Sequence, residues 1–304
     1  MQTISYYLQH PQDVALRFLT RYASWLPDET YLKWKFRLTM GYKLNLEEPK
    51  SYSEKLQWMK LYDRRPEYTI MVDKVKAKEY VASVLGEQYI IPTLGVWDDP
   101  DKINFDNLPN RFVLKVNHNS GTGMYICKDK AIMDVDKVKK GLRKGLKEDY
   151  YRYNREWPYK NVPRRILAEQ FIEPAPGMND LPDYKFFCFD GKVKALFIAT
   201  DRSKGDHETR FDFFDADFNH LPFTNGHPNA TITPEKPKMF EEMKVLASKL
   251  SEGIPQVRID FYEVGDKVYF GEMTFFHWSG MMPYEPIEWD YKFGEWLKLP
   301  QKCN

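Results

Sequence analysis

The side chains whose types and spacing suit chemistry most directly lie in two short segments, Val-Arg-Ile-Asp-Phe-Tyr at 257–262 and Val-Tyr-Phe-Gly-Glu-Met-Thr at 268–274. Alternation along a strand puts Arg258, Asp260 and Tyr262 on one face of the first, and Glu272 and Thr274 on one face of the second. Gly265-Asp266 between them signals a hairpin. A three-residue loop at 264–266 would set Arg258 opposite Glu272 and leave Asp260 diagonal to it, roughly 7–8 Å away at Cα. Two carboxylates at that spacing can clamp Mg²⁺, a hard cation that takes oxygen ligands and keeps positions for water and phosphate. A neighbouring arginine can balance charge on a phosphoryl group in transfer. The same residues also fit a surface hairpin with a cross-strand Arg–Glu pair.

A second group runs through residues 112–127. Lys115 projects from a strand end and is followed by Asn119-Ser120-Gly121-Thr122-Gly123, whose backbone N–H groups could approach phosphate oxygens. This is neither a P-loop nor a dinucleotide fingerprint, and a plain hairpin tip explains it equally. Asp215-Ala-Asp217 matches the D-x-D pattern of metal-dependent glycosyltransferases and also reads as a turn between strands. No Ser/His/Asp or Cys/His arrangement stands out. His118 sits beside the glycine loop, whereas His10, His207, His220 and His227 have no metal spacing, and the role of His277 is open. Cys127, Cys188 and Cys303 lie outside any C-x-x-C, so neither a disulfide framework nor a zinc site is expected, and a reducing cytoplasm is the expected setting.

The elements that must position these residues change character along the chain. Apolar spacing predicts helices over 14–44, broken at Pro27-Asp28, over 51–62 with Ser51 or Ser53 as cap, and from about 73 to Gly86 with Val75, Tyr80, Val81 and Val84 inward. Strands are expected at 89–97, 111–117, 166–172, 184–189, 193–199, 257–262 and 268–275, with helices at 135–150 and 238–250. The lysine-rich 137–147 stretch could attract an acidic polymer but reads as a solvated face, and Tyr150, Tyr151, Tyr153, Trp157 and Tyr159 could stack on acceptor sugar rings but read better as packing at a domain boundary. With 304 residues the chain has room for about two domains. Apolar residues make up 42% and charged ones 29%, which excludes a disordered or fibrous chain. Lys+Arg of 45 against Asp+Glu of 44 gives no global reason to expect nucleic acid, so any anion site must be local. No stretch suits a spanning helix or a secretion signal.

Taken in order, these segments resemble the TupA-like ATP-grasp proteins, a branch associated with teichuronopeptide and capsule-type polysaccharide biosynthesis. The likeness runs through Ser53-Glu-Lys-Leu-Gln-Trp-Met-Lys-Leu-Tyr-Asp63, Val72-Asp-Lys74, Phe112-Val-Leu-Lys-Val-Asn-His118, Arg155-Glu-Trp-Pro-Tyr159, Ala168-Glu-Gln-Phe171, Asp183-Tyr-Lys-Phe-Phe-Cys-Phe189, Val257-Arg-Ile-Asp260 and Gly271-Glu-Met-Thr-Phe275. It implies an α+β ATP-grasp fold: a helical region at 1–70 and two α+β subdomains, 71–168 and 169–304, sandwiching the nucleotide. By the same resemblance Lys74 and Lys115 reach the phosphates under a loop of Ser120, Gly121, Thr122 and Gly123. Glu169, Gln170 and Phe171 form the strand that meets adenine, and Asp183 or Lys185 lies near the ribose. Asp260 and Glu272 hold Mg²⁺, Arg258 faces an acyl phosphate, and Thr274 stands where the family usually has an asparagine ligand. Phe276-His-Trp-Ser-Gly280 is bulkier than the small-residue loop expected there. The implied activity is ATP- and Mg²⁺-dependent joining of a carboxylate to an amine, with a carboxylate-bearing glycan or its precursor and an amino acid as partners. Peripheral membrane contact is compatible with it. A glycosyltransferase and a noncatalytic nucleotide-binding relative remain the alternatives.

Overall fold

The computed structural model describes residues 11–174, 181–201 and 209–302; His10, His207 and Cys303 lie outside them. Helices α1 (Pro11–Tyr22) and α2 (Asp28–Met40) flank the Pro27-Asp28 break, and Gly41, at φ 81°, ends α2 by turning its N–H back to Arg37 O. Ser51 is the cap of α3 (Tyr52–Tyr62): its hydroxyl accepts from Glu54 N at 3.2 Å while Glu54 Oε2 accepts from Ser51 N at 3.2 Å. The short α4 (Glu67–Val72) was not signalled by apolar spacing, and α5 (Lys76–Leu85) starts three residues later than Asp73. Ala77 and Val81 form its inward face, whereas Val84, expected inward, stays exposed at its last turn.

The middle of the chain builds a four-stranded antiparallel sheet in the order β1-β4-β2-β3, from β1 (Thr93–Trp97), β2 (Phe112–Val116), β3 (Tyr125–Cys127) and β4 (Ile166–Gln170). Helix α6 (Val135–Leu146) covers it, burying Val138 and Leu142 against Phe112, Leu114, Val116 and Ile166. Its lysines behave as a solvated face, with Lys139 and Arg143 paired to Asp101. The helix expected to run to 150 stops at Leu146, and α7 (Tyr150–Asn154) follows, capped by Asp149. Tyr151 donates to Asp28 at 2.7 Å and Tyr31 to Tyr153 O at 2.9 Å, so this aromatic stretch ties the middle of the chain to the first helices.

A larger antiparallel sheet follows in the order β11-β10-β5-β6-β7-β8. Its strands are β5 (Asp183–Phe189), β6 (Lys192–Thr200), β7 (Arg210–Asp215), β8 (His220–Leu221), β10 (Val257–Val264) and β11 (Lys267–Thr274). A separate ladder joins β9 (Thr224–Asn225) to β12 (Tyr284–Glu285). Helix α8 (Phe240–Leu250) packs on one face, with Phe240 against Phe186. Near the other, α9 (Glu288–Trp296) packs on α3, where Asp290 accepts from Ser53 N at 2.8 Å. Gly294 permits that approach, since a Cβ there would fall 2.2 Å from Lys50 O. One core draws on residues 32–81 and 162–297, a second on 103–168 and a small third on Leu19, Ala23 and Tyr31, so α2 and α3 belong to the layer around the larger sheet and α1 packs on α2. Among the described residues no helix is long and apolar enough to cross a membrane.

The hairpin register corrects the sequence expectation. Val264 pairs with Lys267, so the turn is the two residues Gly265-Asp266 rather than three, and the ladder slips by one between Asp260 and Phe261. Beyond the slip Asp260 lies opposite Glu272 and Arg258 opposite Thr274, not Arg258 opposite Glu272. The cause is Gly271, the extra residue of a bulge. Without it the two-residue turn would put Glu272 on the face away from Asp260. A Cβ at Gly271 would sit 3.0 Å from Asp260 O and 3.2 Å from the Tyr262 ring.

Candidate functional site

On β10 the alternation sends Ile259 and Phe261 into the core and Arg258 and Asp260 to the other face. Across the sheet Asp260 pairs with Lys185 of β5, so Glu272, Asp260 and Lys185 form one row. Arg258 grips Asp260 with two bonds of 2.7 Å, from Nε to Oδ1 and from Nη2 to Oδ2. Its Nη2 also reaches Glu272 Oε1 at 3.2 Å and Thr274 Oγ1 at 3.1 Å. Lys185 Nζ bonds Asp260 and, at 2.6 Å, Asp183. Burial alone would raise the Asp260 carboxyl, but Arg258 and Lys185 outweigh it and hold the group well below the carboxylate range. Burial likewise works against the Arg258 charge, and Asp260 and then Glu272 more than restore it.

The facing wall belongs to the smaller sheet. Lys115 and Glu169 share one face of the β2–β4 pair, and Glu169 lies between Lys115, at 2.6 Å, and Lys78 of α5, at 2.7 Å. Burial pushes the Glu169 carboxyl up, yet the two ammonium groups dominate and bring it down to about 2. Lys74 Nζ donates to Asn119 O at 2.5 Å, at the foot of the glycine loop. The adjoining backbone is braced by Asn117, which donates to Asp73 and Pro163 O at 2.8 Å each and accepts from Arg165 N at 2.7 Å. Gly121 and Gly123 take φ values of 87° and 78°. The loop is docked on α6: a Cβ on Gly123 would lie 2.7 Å from Val116 Cγ2 and 3.2 Å from Gly145 Cα.

The two walls face each other across the charges they carry. Burial lowers the Lys74 ammonium while Glu272 pulls the other way. At Lys115 burial is outweighed by Glu169, with Glu272 and Asp183 adding to it, and the ammonium is held above its usual range. Residues 54–298 match the family described as TupA-like ATPgrasp. The chain belongs to the TupA-like ATP-grasp family. The fold is therefore ATP-grasp, of the α+β class. Among solved structures, D-alanine–D-alanine ligase from Bacillus anthracis complexed with ATP is 15% identical with a TM-score of 0.40, covering 67% of this chain and 53% of that one. The Helicobacter pylori D-alanine–D-alanine ligase is 13% identical, TM-score 0.43, covering 82% and 70%. The ATP-grasp ligase PsnB with minimal precursor, Mg and ADP is 11% identical, TM-score 0.40, covering 86% and 65%. The chain thus spans about half the length of the Bacillus anthracis ligase. No match is found among curated proteins.

In this ATP-grasp chain Asp260, Glu272 and Thr274 offer only oxygen donors on one face, and the Glu272 side chain is 40% exposed beside Asp260. That set fits a hard divalent cation. Among the described residues no group of three or more His, Cys, Asp or Glu is placed to hold a metal ion. Ser120 is exposed within the loop, and Gln170 lies exposed at the end of β4, its N–H donating to Pro92 O at 3.0 Å. Phe171 lies under the Arg111 guanidinium at 4.3 Å. His118 Nε2 contacts Glu148 O at 2.9 Å. Asp215 accepts from Asp217 N at 2.9 Å and Asn219 N at 2.8 Å, which makes the D-x-D sequence the turn after β7. Sequence reasoning missed Lys78, whose only signal is its position four residues after Lys74, and Asn225, the partner of His277 behind Arg258, whereas His277 itself was noted with its role open.

Proposed function

We propose that this chain binds ATP with Mg²⁺ between the two walls and uses it to join a carboxylate to an amine through an acyl phosphate. The carboxylate would belong to a cell-surface polysaccharide or its precursor, the amine to an amino acid, in the cytoplasm, and peripheral membrane contact is compatible with this. The observation that supports this best is that Lys74, on the turn before α5, and Lys115, on β2, both feel the charge of Glu272 on β11, and Lys115 that of Asp183 on β5 as well. A bound divalent cation would neutralise phosphate charge, with Asp260 and Glu272 as its carboxylate ligands and Thr274 as a hydroxyl ligand. Lys74 and Lys115 would fix the phosphate oxygens beneath Ser120, Gly121, Thr122 and Gly123. Glu169, Gln170 and Phe171 would border adenine and Asp183 or Lys185 the ribose. The substrate carboxylate oxygen attacks the γ-phosphorus and the bond to ADP breaks. The amine nitrogen then attacks the acyl carbon, the bond to phosphate breaks, and the departing phosphate takes the proton the amine gives up. Arg258 would donate to the oxygens on which charge builds in both steps, so the protein contributes position and charge rather than a covalent intermediate.

The test is hydroxamate formation and ADP release with ATP, Mg²⁺, a uronic acid as carboxylate and hydroxylamine as amine. Thermal shifts with ATP, with and without Mg²⁺, accompany it. ADP and hydroxamate formed together support the reading. UDP release from a UDP-sugar would move the chain to glycosyltransferases, and an ATP shift with no turnover on any carboxylate would make it a noncatalytic relative. Full ligation by both Lys115→Ala and Glu272→Ala would refute the site.

A further inference from the structure

Behind Arg258 lies a polar chain in which every atom's role is forced. Arg258 Nη1 contacts His277 Nδ1 at 2.8 Å, and a guanidinium can only donate, so Nδ1 must present its lone pair. The ring proton then sits on Nε2, which donates to Asn225 Oδ1 at 3.0 Å. With its oxygen so used, Asn225 turns its Nδ2 to Met282 O and Pro283 O, each at 3.0 Å. Asn225 is itself fixed in the β9–β12 ladder, opposite Tyr284. The imidazole is buried between Phe187, edge-on at 5.0 Å, and Phe197 at 5.2 Å, so it has no room to rotate away. Burial first, then the Arg258 charge, keeps it neutral.

We propose that His277, in its Nε2–H form and anchored by Asn225, is the positioning residue for Arg258. The argument rests on the role given to Arg258 above. The other bonds of that guanidinium all go to Asp260, Glu272 and Thr274, groups that would have to turn toward a cation and phosphates. When they do, Nη1 keeps one partner that does not move. A neutral acceptor suits the task, because a carboxylate in its place would hold the arginine equally well but cancel the charge an anionic substrate needs. It also gives a use to the bulky 276–280 segment, whose Trp278 and Ser279 take left-handed φ values of 48° and 57°. The carbonyl of Ser279 is held by Gln57 at 2.9 Å and by buried Lys60 at 2.8 Å, which keeps the segment in place.

His277→Gln and His277→Phe separate this role from mere packing. A glutamine can place its oxygen where Nδ1 lies and its amide where Nε2 lies, whereas phenylalanine preserves the packing and removes both polar atoms. In the hydroxamate assay H277F is expected to lose about 100-fold in kcat, the effect of a misplacement near 1 Å, with KM for ATP unchanged. H277Q should stay within a few-fold of wild type. Two-bond ¹⁵N–¹H spectra of the wild-type imidazole should show Nε2 protonated and Nδ1 bare. Undiminished kcat in H277F, equal losses in H277F and H277Q, or an Nδ1–H signal would overturn the proposal. If H277F does not fold, H277Q and the spectrum decide, and the spectrum needs no turnover. Arg258→Ala at full activity would instead overturn the proposed function, whereas an inactive R258A beside an active H277F would sink the positioning role alone.

Discussion

Glu169→Gln tests how the phosphate-side wall is held. The carboxylate is 5% exposed and lies between Lys115 and Lys78. A fall of its pKa from 4.5 to about 2 corresponds, at about 1.4 kcal/mol per unit, to about 3 kcal/mol of stability. Because the folded value is the lower one, that stability is fully present above about pH 4.5 and is lost as pH falls toward 2. E169Q should therefore be about 3 kcal/mol less stable at pH 7, with two partly buried ammonium groups facing each other, and the gap should close in acid. Urea unfolding of both proteins at pH 7, 5 and 3 measures it. Adding Lys78→Met to E169Q should recover part of the loss, since one of the two like charges is gone. Equal stability at pH 7, or a gap unchanged at pH 3, would refute the reasoning.

Three other outcomes follow from the same geometry. Lys74→Met and Lys115→Met should each weaken ATP binding about 10–100-fold by calorimetry, the worth of one charge-assisted contact, if these ammonium groups grip phosphate. Gly123→Ala meets both a φ of 78° and a 2.7 Å approach to Val116, so thermal unfolding should show a loss of about 1–3 kcal/mol, and proteolysis should find the loop undocked from α6. Ser51→Ala removes one half of the capping box and should cost about 1 kcal/mol in chemical denaturation while leaving nucleotide binding intact.

Much of the local structure was legible because its causes are local. A cap at Ser51 or Ser53, of which the structure uses Ser51, the Pro27-Asp28 break and the inward Val138 and Leu142 each follow from spacing along one element. So did the identities of the charged residues on the hairpin, since a strand's alternation needs no knowledge of its neighbour. The partners were not legible. In the folded chain Glu169 bonds Lys78 and Lys115, and Lys185 bonds Asp183 and Asp260, pairings that the alternation of a single strand does not announce.

Sequence alone determined which residues could bring charge to a phosphate or a cation, because residue type and strand parity set that before any folding. Tertiary structure decided which of them meet. A single inserted residue, Gly271, turns Glu272 onto the face of Asp260, and whether a ladder admits such a bulge depends on the packing of both sheet faces. The bond between His277 and Asn225 spans 52 positions of chain, and only the closing of the β9–β12 ladder brings their polar atoms within reach.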